Sequence, residues 1–319
     1  MRMRRLIRAL TALALACLCL ASAAARSDTP GAPPLFHVAA PEGAPLTFLA
    51  YGDTRFTERD GVASPEARRG LARRMATENP AAIFIGGDLV YQGSDPADYD
   101  TFRRETAEWR ERRIPVYPAL GNHEFRGCDE PPTPCLENWW QAFPELRPFR
   151  WYSVALGSQA RVILLDSDSG LKRGAPQRVW FEQQVRAADP QVKFLLVVLH
   201  YPPVRDPIYP RGKDEAEIAG YFAAHARSMH AKVIVIGSHV HNYERFRKNG
   251  VTYLVSGGGG AKPHPALRLF GELSHLRTSV NYHYLRITID GDHLSGVMVR
   301  FDPGANDPWS EPDRFEVSR

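Results

Sequence analysis

The sequence is poor in cysteine and lacks an apolar run long enough to cross a bilayer. It carries four cysteines in 319 residues, and two of them, Cys17 and Cys19, fall within the first 25. The remaining pair, Cys128 and Cys135, is too few for a disulfide-built scaffold or a cysteine-ligated metal centre. A spanning helix needs about 20 consecutive apolar residues, and the apolar stretch from Leu10 to Ala21 is shorter. An excess of charge of one sign is also missing. The formal charge is +4, and Arg2, Arg4, Arg5 and Arg8 account for it, because residues 1–25 contain no acid. Without them the chain is near neutral, so no nucleic-acid partner is expected. No internal repeat is found. With 44% hydrophobic and 24% charged residues, the composition is that of a folded chain long enough to bury a sizeable core.

What is present begins with those arginines. A basic start, the apolar stretch and the small-residue end Ala23-Ala24-Ala25 read together as a secretory signal peptide over residues 1–25. The protein is therefore expected to be exported, to the periplasm or beyond the cell. Lipidation at Cys17 is the competing reading, although Ala14 stands where a larger aliphatic residue is expected. Apart from such an anchor, no stable membrane partner is expected. In an oxidising compartment Cys128 and Cys135, which flank a short proline-rich segment, are expected to form a disulfide that pins a loop. Residues 26–45, rich in Pro, Ala, Gly and Ser, read as a flexible leader. Residues 46–302 read as one domain, and 303–319 as a tail with little signal.

From Leu46 the pattern becomes regular. Apolar runs at 46–51, 81–86, 114–120, 160–166, 193–199, 231–236 and 251–255 have strand length. Helix-like stretches lie near 65–78, 96–112, 176–188 and 214–230, and Pro176 suits a first helical turn. Near-continuous apolar strands alternating with helices predict an α/β sandwich whose sheet is covered on both faces. Strands over 282–290 and 293–301, joined by Asp290-Gly291-Asp292, predict a closing hairpin.

The residues that carry chemistry stand where these strands end, the edge at which open α/β sheets place their sites. The first strand ends at Asp53 and the second at Asp88, with Tyr91 following. The third presents Asn122, His123 and Glu124, the fourth stops at His200, and the fifth ends in His239 and His241. Taken singly, each residue has a bland reading: a turn-forming aspartate, a structural histidine, a glycine permitting a bend. Five such ends in one chain favour the functional reading. Aspartates, an asparagine oxygen and three histidines form a hard and borderline ligand set suited to Zn, Mn or Fe. The candidates exceed one coordination sphere, which points to two ions with Asp88 able to bridge them.

The blocks GD at 52–53, GGDLVY at 86–91, GNHE at 121–124, VVLH at 197–200 and GSHVHNYER at 237–245 resemble those of the calcineurin-like metallophosphoesterases. The resemblance covers roughly residues 46–260 and is nearest to the purple acid phosphatase type. Arg55 stands where the general pattern has a histidine, and Tyr91 follows Asp88 by three, as in that type. The resemblance implies a four-layer α/β/β/α sandwich with two mixed sheets. It implies one ion held by Asp53, Asp88, Tyr91 and His241, and a second by Asp88, Asn122, His200 and His239. A tyrosinate ligand implies ferric iron in the first place, with Zn, Mn or Fe(II) in the second. The implied reaction is phosphate-ester hydrolysis by hydroxide generated at the ions, since coordination lowers the pKa of water towards about 7.

Departures accompany the likeness. The type carries a further histidine soon after the VVLH block, and Arg205 to Lys213 offers none. His123 is then the remaining leaving-group acid or phosphate contact. Arg55 either touches substrate phosphate or makes a salt bridge beside the site. The type's plant-like amino-terminal β-domain is not expected, because Asp53 arrives too early. Trp139, Trp140 and Trp151 read as core rather than a substrate mouth. Gly257 to Gly260 lack the spacing of a nucleotide-binding loop, and Ser167 and Ser169 lack a nucleophile elbow. A small phosphate monoester is the expected substrate. A diesterase and a non-catalytic metal- or phosphate-binding protein stand as alternatives.

Overall fold

The computed structural model describes residues 25–27, 31–40, 43–128, 133–206, 214–265 and 282–319. The signal-peptide reading, with Cys17, rests mainly on residues 1–24, outside the described residues. Two mixed sheets form the centre. The first has six strands. Here β3 (Leu46–Tyr51), β4 (Ile83–Ile85) and β5 (Val116–Pro118) run parallel, and β12 (Tyr282–Asp290), β13 (His293–Phe301) and β14 (Trp309–Ser318) continue antiparallel from β3. The second has eight strands. Parallel β7 (Ala160–Leu164), β8 (Phe194–Val198), β9 (Lys232–Gly237) and β11 (Val251–Ser256) lie in the middle. Flanking them are β10 (Tyr243–Lys248) on one side, and β6 (Tyr152–Leu156), β2 (Leu35–Val38) and β1 (Ala25–Ser27) on the other.

The apolar runs of β8 and β9 are explained by two cores rather than one. Alternate residues of a strand face opposite sides. Phe194, Leu196, Val198, Ile234 and Ile236 face the core shared with the six-stranded sheet. Leu195, Val197, Val233 and Val235 face a separate cluster beneath α5 (Pro176–Ala188) and α6 (Ala216–His225). On the other flank α1 (Pro65–Thr77) packs against β12 and β13. This is the four-layer α/β/β/α sandwich that the motifs imply.

Local chemistry sets the helix boundaries. Ser64 Oγ accepts the Ala67 N–H at 3.1 Å and Pro65 opens α1. Asp95 caps α2 (Pro96–Glu105) in the same way, accepting from Ala97 at 3.1 Å. The single helix expected over 96–112 is broken. At Thr106 the side-chain hydroxyl donates to the Phe102 carbonyl at 2.6 Å, and α3 (Ala107–Glu111) starts anew.

Both ends of the chain depart from expectation. Within the expected leader, β2 pairs with β6, and Phe36 lies buried against Tyr117 and Tyr152, with ring centroids 5.6 Å away in both cases. The expected tail contains β14, and the family-type block at 237–245 depends on it. Asp313 accepts two hydrogen bonds from Arg245, at 2.8 and 3.0 Å, and one from the Tyr243 hydroxyl at 2.6 Å. These strands sit at sheet edges or alternate polar with apolar, so they lack the apolar run that marks the central ones. Asp313→Ala removes the bidentate partner of a buried guanidinium and should destabilise the fold by on the order of 3 kcal/mol. Urea unfolding measures this; a change within about 0.5 kcal/mol, the range of an ordinary surface substitution, would contradict the role.

Candidate metal centre

Because β3, β4 and β5 are parallel neighbours in one sheet, and β8 and β9 in the other, their carboxyl ends open on one edge of the sandwich. Asp53, Asp88, Asn122, His200 and His239 follow those ends and meet there. The backbone bends sharply to bring them in. Asp53, Arg55, Asp88 and His239 hold φ values of 56°, 46°, 52° and 66°. Such left-handed residues cost about 1–3 kcal/mol each and gather where function fixes a side chain. Cross-links between the two turns hold the strain: Asp53 N–H to Gly87 O at 3.0 Å, Arg55 N–H to Asp88 O at 2.9 Å and Phe56 N–H to Leu89 O at 2.8 Å. Gly121 is required by close approach, since a Cβ there would lie 2.5 Å from both Asp88 N and Asp88 Oδ1.

The ring hydrogen bonds decide what the histidines present to the site. His200 Nδ1 lies 3.0 Å from the Gly86 carbonyl, and His241 Nδ1 lies 2.7 Å from the Lys262 carbonyl. A carbonyl only accepts, so in each neutral ring Nδ1 carries the proton and Nε2 the lone pair. His200 Nε2 stands 3.0 Å from Asn122 Oδ1, 3.2 Å from Asp88 Oδ1 and 3.2 Å from His239 Nδ1. His241 Nε2 stands 3.5 Å from Asp53 Oδ1, a fully buried oxygen without a hydrogen-bond donor among the described residues. Asp53, Asp88 and His241 each offer a ligand atom within 4.8 Å of the others. These are electron-pair donors converging with few protons to share, and a cation is what satisfies such an arrangement. The residues therefore fit a metal centre, and with His200, Asn122 and His239 beside Asp88 the gathered donors exceed the ligands of one ion.

The electrostatics agree. Burial pushes the Asp88 carboxyl up, but the charges of His200, His123 and Arg55 outweigh it and hold the group well below the usual carboxylate range. Burial pulls the His200 ring down, yet Asp88 and Asp53 raise it overall. The anions that draw a proton to His200 are those that would hold a metal. Burial, with the neighbouring His200, pushes His239 down to about 3, which leaves its ring neutral and fit to ligate.

Arg55 reaches Asp88 Oδ2 at 3.2 Å, so the salt bridge is present, and its side chain remains 16% exposed. His123 fixes Nδ1 on the Tyr91 carbonyl at 2.6 Å and turns Nε2 towards Asp88 Oδ2, 3.8 Å away. The Tyr91 ring lies beside it, with centroids 5.3 Å apart. The Cys128–Cys135 disulfide is formed. Trp139 is buried in the main core, while Trp140 and Trp151 are partly buried against the two clusters. Ser167 is no nucleophile: its Oγ accepts the N–H groups of His200 and Tyr201 at 3.1 and 2.8 Å and so places the histidine.

Two contributors, His264 and Arg68, lay outside the motifs, and a third, Glu124, stood in the 121–124 block with no role assigned to it. His264 stacks on His241 with centroids 4.1 Å apart, and its Nδ1 lies 3.3 Å from the His241 N–H. Glu124 accepts N–H groups from Gly121, Asp88 and Val90 at 2.6, 2.9 and 3.3 Å. Burial, then the charge of Asp88, pushes its carboxyl up to about 7. Arg68, paired with Glu105 at 3.0 Å, donates to the carbonyls of Arg55 and Thr57 and clamps the Asp53 turn from below.

Fold and site together define a phosphoesterase-type sandwich with a metal centre at its strand ends. A family model described as calcineurin-like phosphoesterase matches residues 35–243, and the chain belongs to that family. It is 28% identical over 188 residues to purple acid phosphatase 1 of Ipomoea batatas, covering 54% of this chain and 39% of that protein. It is 25% identical over 209 residues to a phosphoenolpyruvate phosphatase of Allium cepa, covering 59% and 41%. The chain thus spans about two-fifths of the length of these relatives. A solved structure of purple acid phosphatase PPD1 from yellow lupin seeds superposes with a TM-score of 0.66 at 19% identity, covering 90% of this chain and 56% of that one.

Glu124→Ala takes an acceptor from three buried N–H groups and should lower stability by on the order of 3 kcal/mol, with metal uptake falling alongside. Glu124→Gln keeps one acceptor oxygen and should lose less. Urea unfolding with metal analysis checks the order; equal behaviour of wild type and both variants would contradict it.

Proposed function

We propose that the protein is an exported two-metal phosphatase that hydrolyses small phosphate monoesters. The observation that carries this reading is the ring of electron-pair donors meeting on either side of Asp88 at the strand ends. One ion would be held by Asp53, Asp88, Tyr91 and His241, the other by Asp88, Asn122, His200 and His239. When bound, the pair supplies Lewis-acid activation of water and of the phosphoryl group. The Cys128–Cys135 disulfide supports an oxidising compartment.

The chain's own groups do the rest. Arg55, beside Asp88 and partly open, offers a fixed cation to a phosphoryl oxygen as charge builds in the transition state. His123 holds one nitrogen on the Tyr91 carbonyl, so the other faces the reacting group. Doubly protonated, the ring donates to the departing oxygen. Burial lowers its pKa, and the charges of Arg55 and Arg126 lower it further against the pull of Asp88, so that form belongs to acid solution. Glu124, Ser167 and Arg68 touch no substrate and position the groups that do.

Asp88→Ala should lose metal and activity together, with kcat/KM for p-nitrophenyl phosphate falling about a thousandfold or more while circular dichroism stays unchanged. A metal-free, active Asp88→Ala protein would refute the mechanism. Tyrosinate on ferric iron gives a violet colour that Tyr91→Phe should bleach. A wild-type protein with two colourless ions would contradict the iron assignment and leave the two-metal reading standing.

A further inference from the structure

We propose that Arg126, with Arg59, forms a cationic rim that selects phosphate esters and anhydrides whose leaving group carries a second anionic group, either phosphate or carboxylate. This rests on the phosphatase reading above and names the substrate class of the same site. The Arg126 guanidinium lies 4.2 Å from the centre of the Tyr91 ring, and that of Arg59 lies 5.8 Å from it. Tyr91 in turn stands against His123, whose Nε2 faces Asp88. A file of contacts therefore leads outward from the reacting centre, from Asp88 through His123 and Tyr91 to Arg126.

The side chain of Arg126 is exposed, and among the described residues it makes no ion pair. Arg59 is paired with Asp95 at 3.0 Å across a half-exposed contact, so it adds charge while Arg126 supplies the open donors. The loop that carries Arg126 is built to hold it still. Its N–H donates to the His123 carbonyl at 3.1 Å, its carbonyl accepts from Ser94 N–H at 3.2 Å, and the disulfide two residues on ties the loop to α4 (Thr133–Ala142).

A stacked guanidinium loses water from one face and keeps its planar edge of N–H donors for an anion. Arg55 lies on the Asp88 side of His123, 3.2 Å from Asp88 Oδ2, and Arg126 lies on its Tyr91 side, over that ring. A substrate with its terminal phosphoryl group at Asp88 and Arg55 would extend its leaving group along this file. In the step itself the oxygen of water adds to phosphorus and the P–O bond to the leaving group breaks. The leaving oxygen keeps the electron pair and takes up a proton. Arg126 would meet the second anion on that departing fragment.

The test compares wild type, Arg126→Ala and Arg126→Lys on pyrophosphate, phosphoenolpyruvate and p-nitrophenyl phosphate. The first two carry a second phosphate and a carboxylate, and the third carries neither. In Arg126→Ala, the kcat/KM ratio of one or both anionic substrates to p-nitrophenyl phosphate should fall by about tenfold or more, the scale of one charge-assisted hydrogen bond. The substrate whose ratio falls further identifies the anion. Arg126→Lys, which keeps charge without the planar fork, should lie between the two proteins. Ratios unchanged within twofold for both substrates overturn the proposal. If wild type hydrolyses none of the three, the phosphatase reading has failed. Calorimetry on metal-loaded protein then decides the rim: binding of pyrophosphate relative to orthophosphate should weaken about tenfold in Arg126→Ala, and an unchanged ratio overturns it.

Discussion

Asp53 and Asp88 are both fully buried, on neighbouring turns at the ends of β3 and β4. Removing a carboxylate from water costs several kcal/mol unless a positive group offsets it, and two together repel each other as well. Histidines and Arg55 surround them, but among the described residues Oδ1 of Asp53 still lacks a hydrogen-bond donor. The centre therefore demands cations. Much of the surrounding architecture can be understood as what is needed to hold these acids in place until cations bind.

That demand explains features which would be defects elsewhere. Four left-handed residues in one small region cost several kcal/mol of backbone strain. They are held because each turn is hydrogen-bonded to the other, and because Glu124 gathers three N–H groups beneath Asp88. Arg68 reaches from α1 under the Asp53 turn, and Ser167 fixes the backbone of His200 from β7's end. Asp313, on the last strand, anchors Tyr243 and Arg245 a few residues beyond His239 and His241. The rigidity of the site is thus drawn from both sheets and from the carboxyl-terminal strand.

Much of this was legible in the sequence, for a physical reason. Parallel central strands are buried on both faces, so they read as unbroken apolar runs, and their ends mark the site edge without ambiguity. Asp53, Asp88, Asn122, His200, His239 and His241 could be found because each stands at or just beyond such an end. The short strand β2 and the edge strand β14 mix polar with apolar residues and carry no such mark. The contact of His264 with His241 depends on the path of a loop more than twenty residues away, which no local pattern encodes. The work of Glu124 is hidden for a related reason: its partners are backbone N–H groups, which every residue has.

Buried acids and proton-free histidine nitrogens, gathered at the strand ends, imply a centre for two cations. Metal analysis of the purified wild-type chain, followed by calorimetric titration of the stripped protein, addresses it most directly. Two ions per chain are expected, with the first one to bind raising thermal stability because it relieves the buried charge. A chain that takes up no ion, or saturates at one, would contradict it.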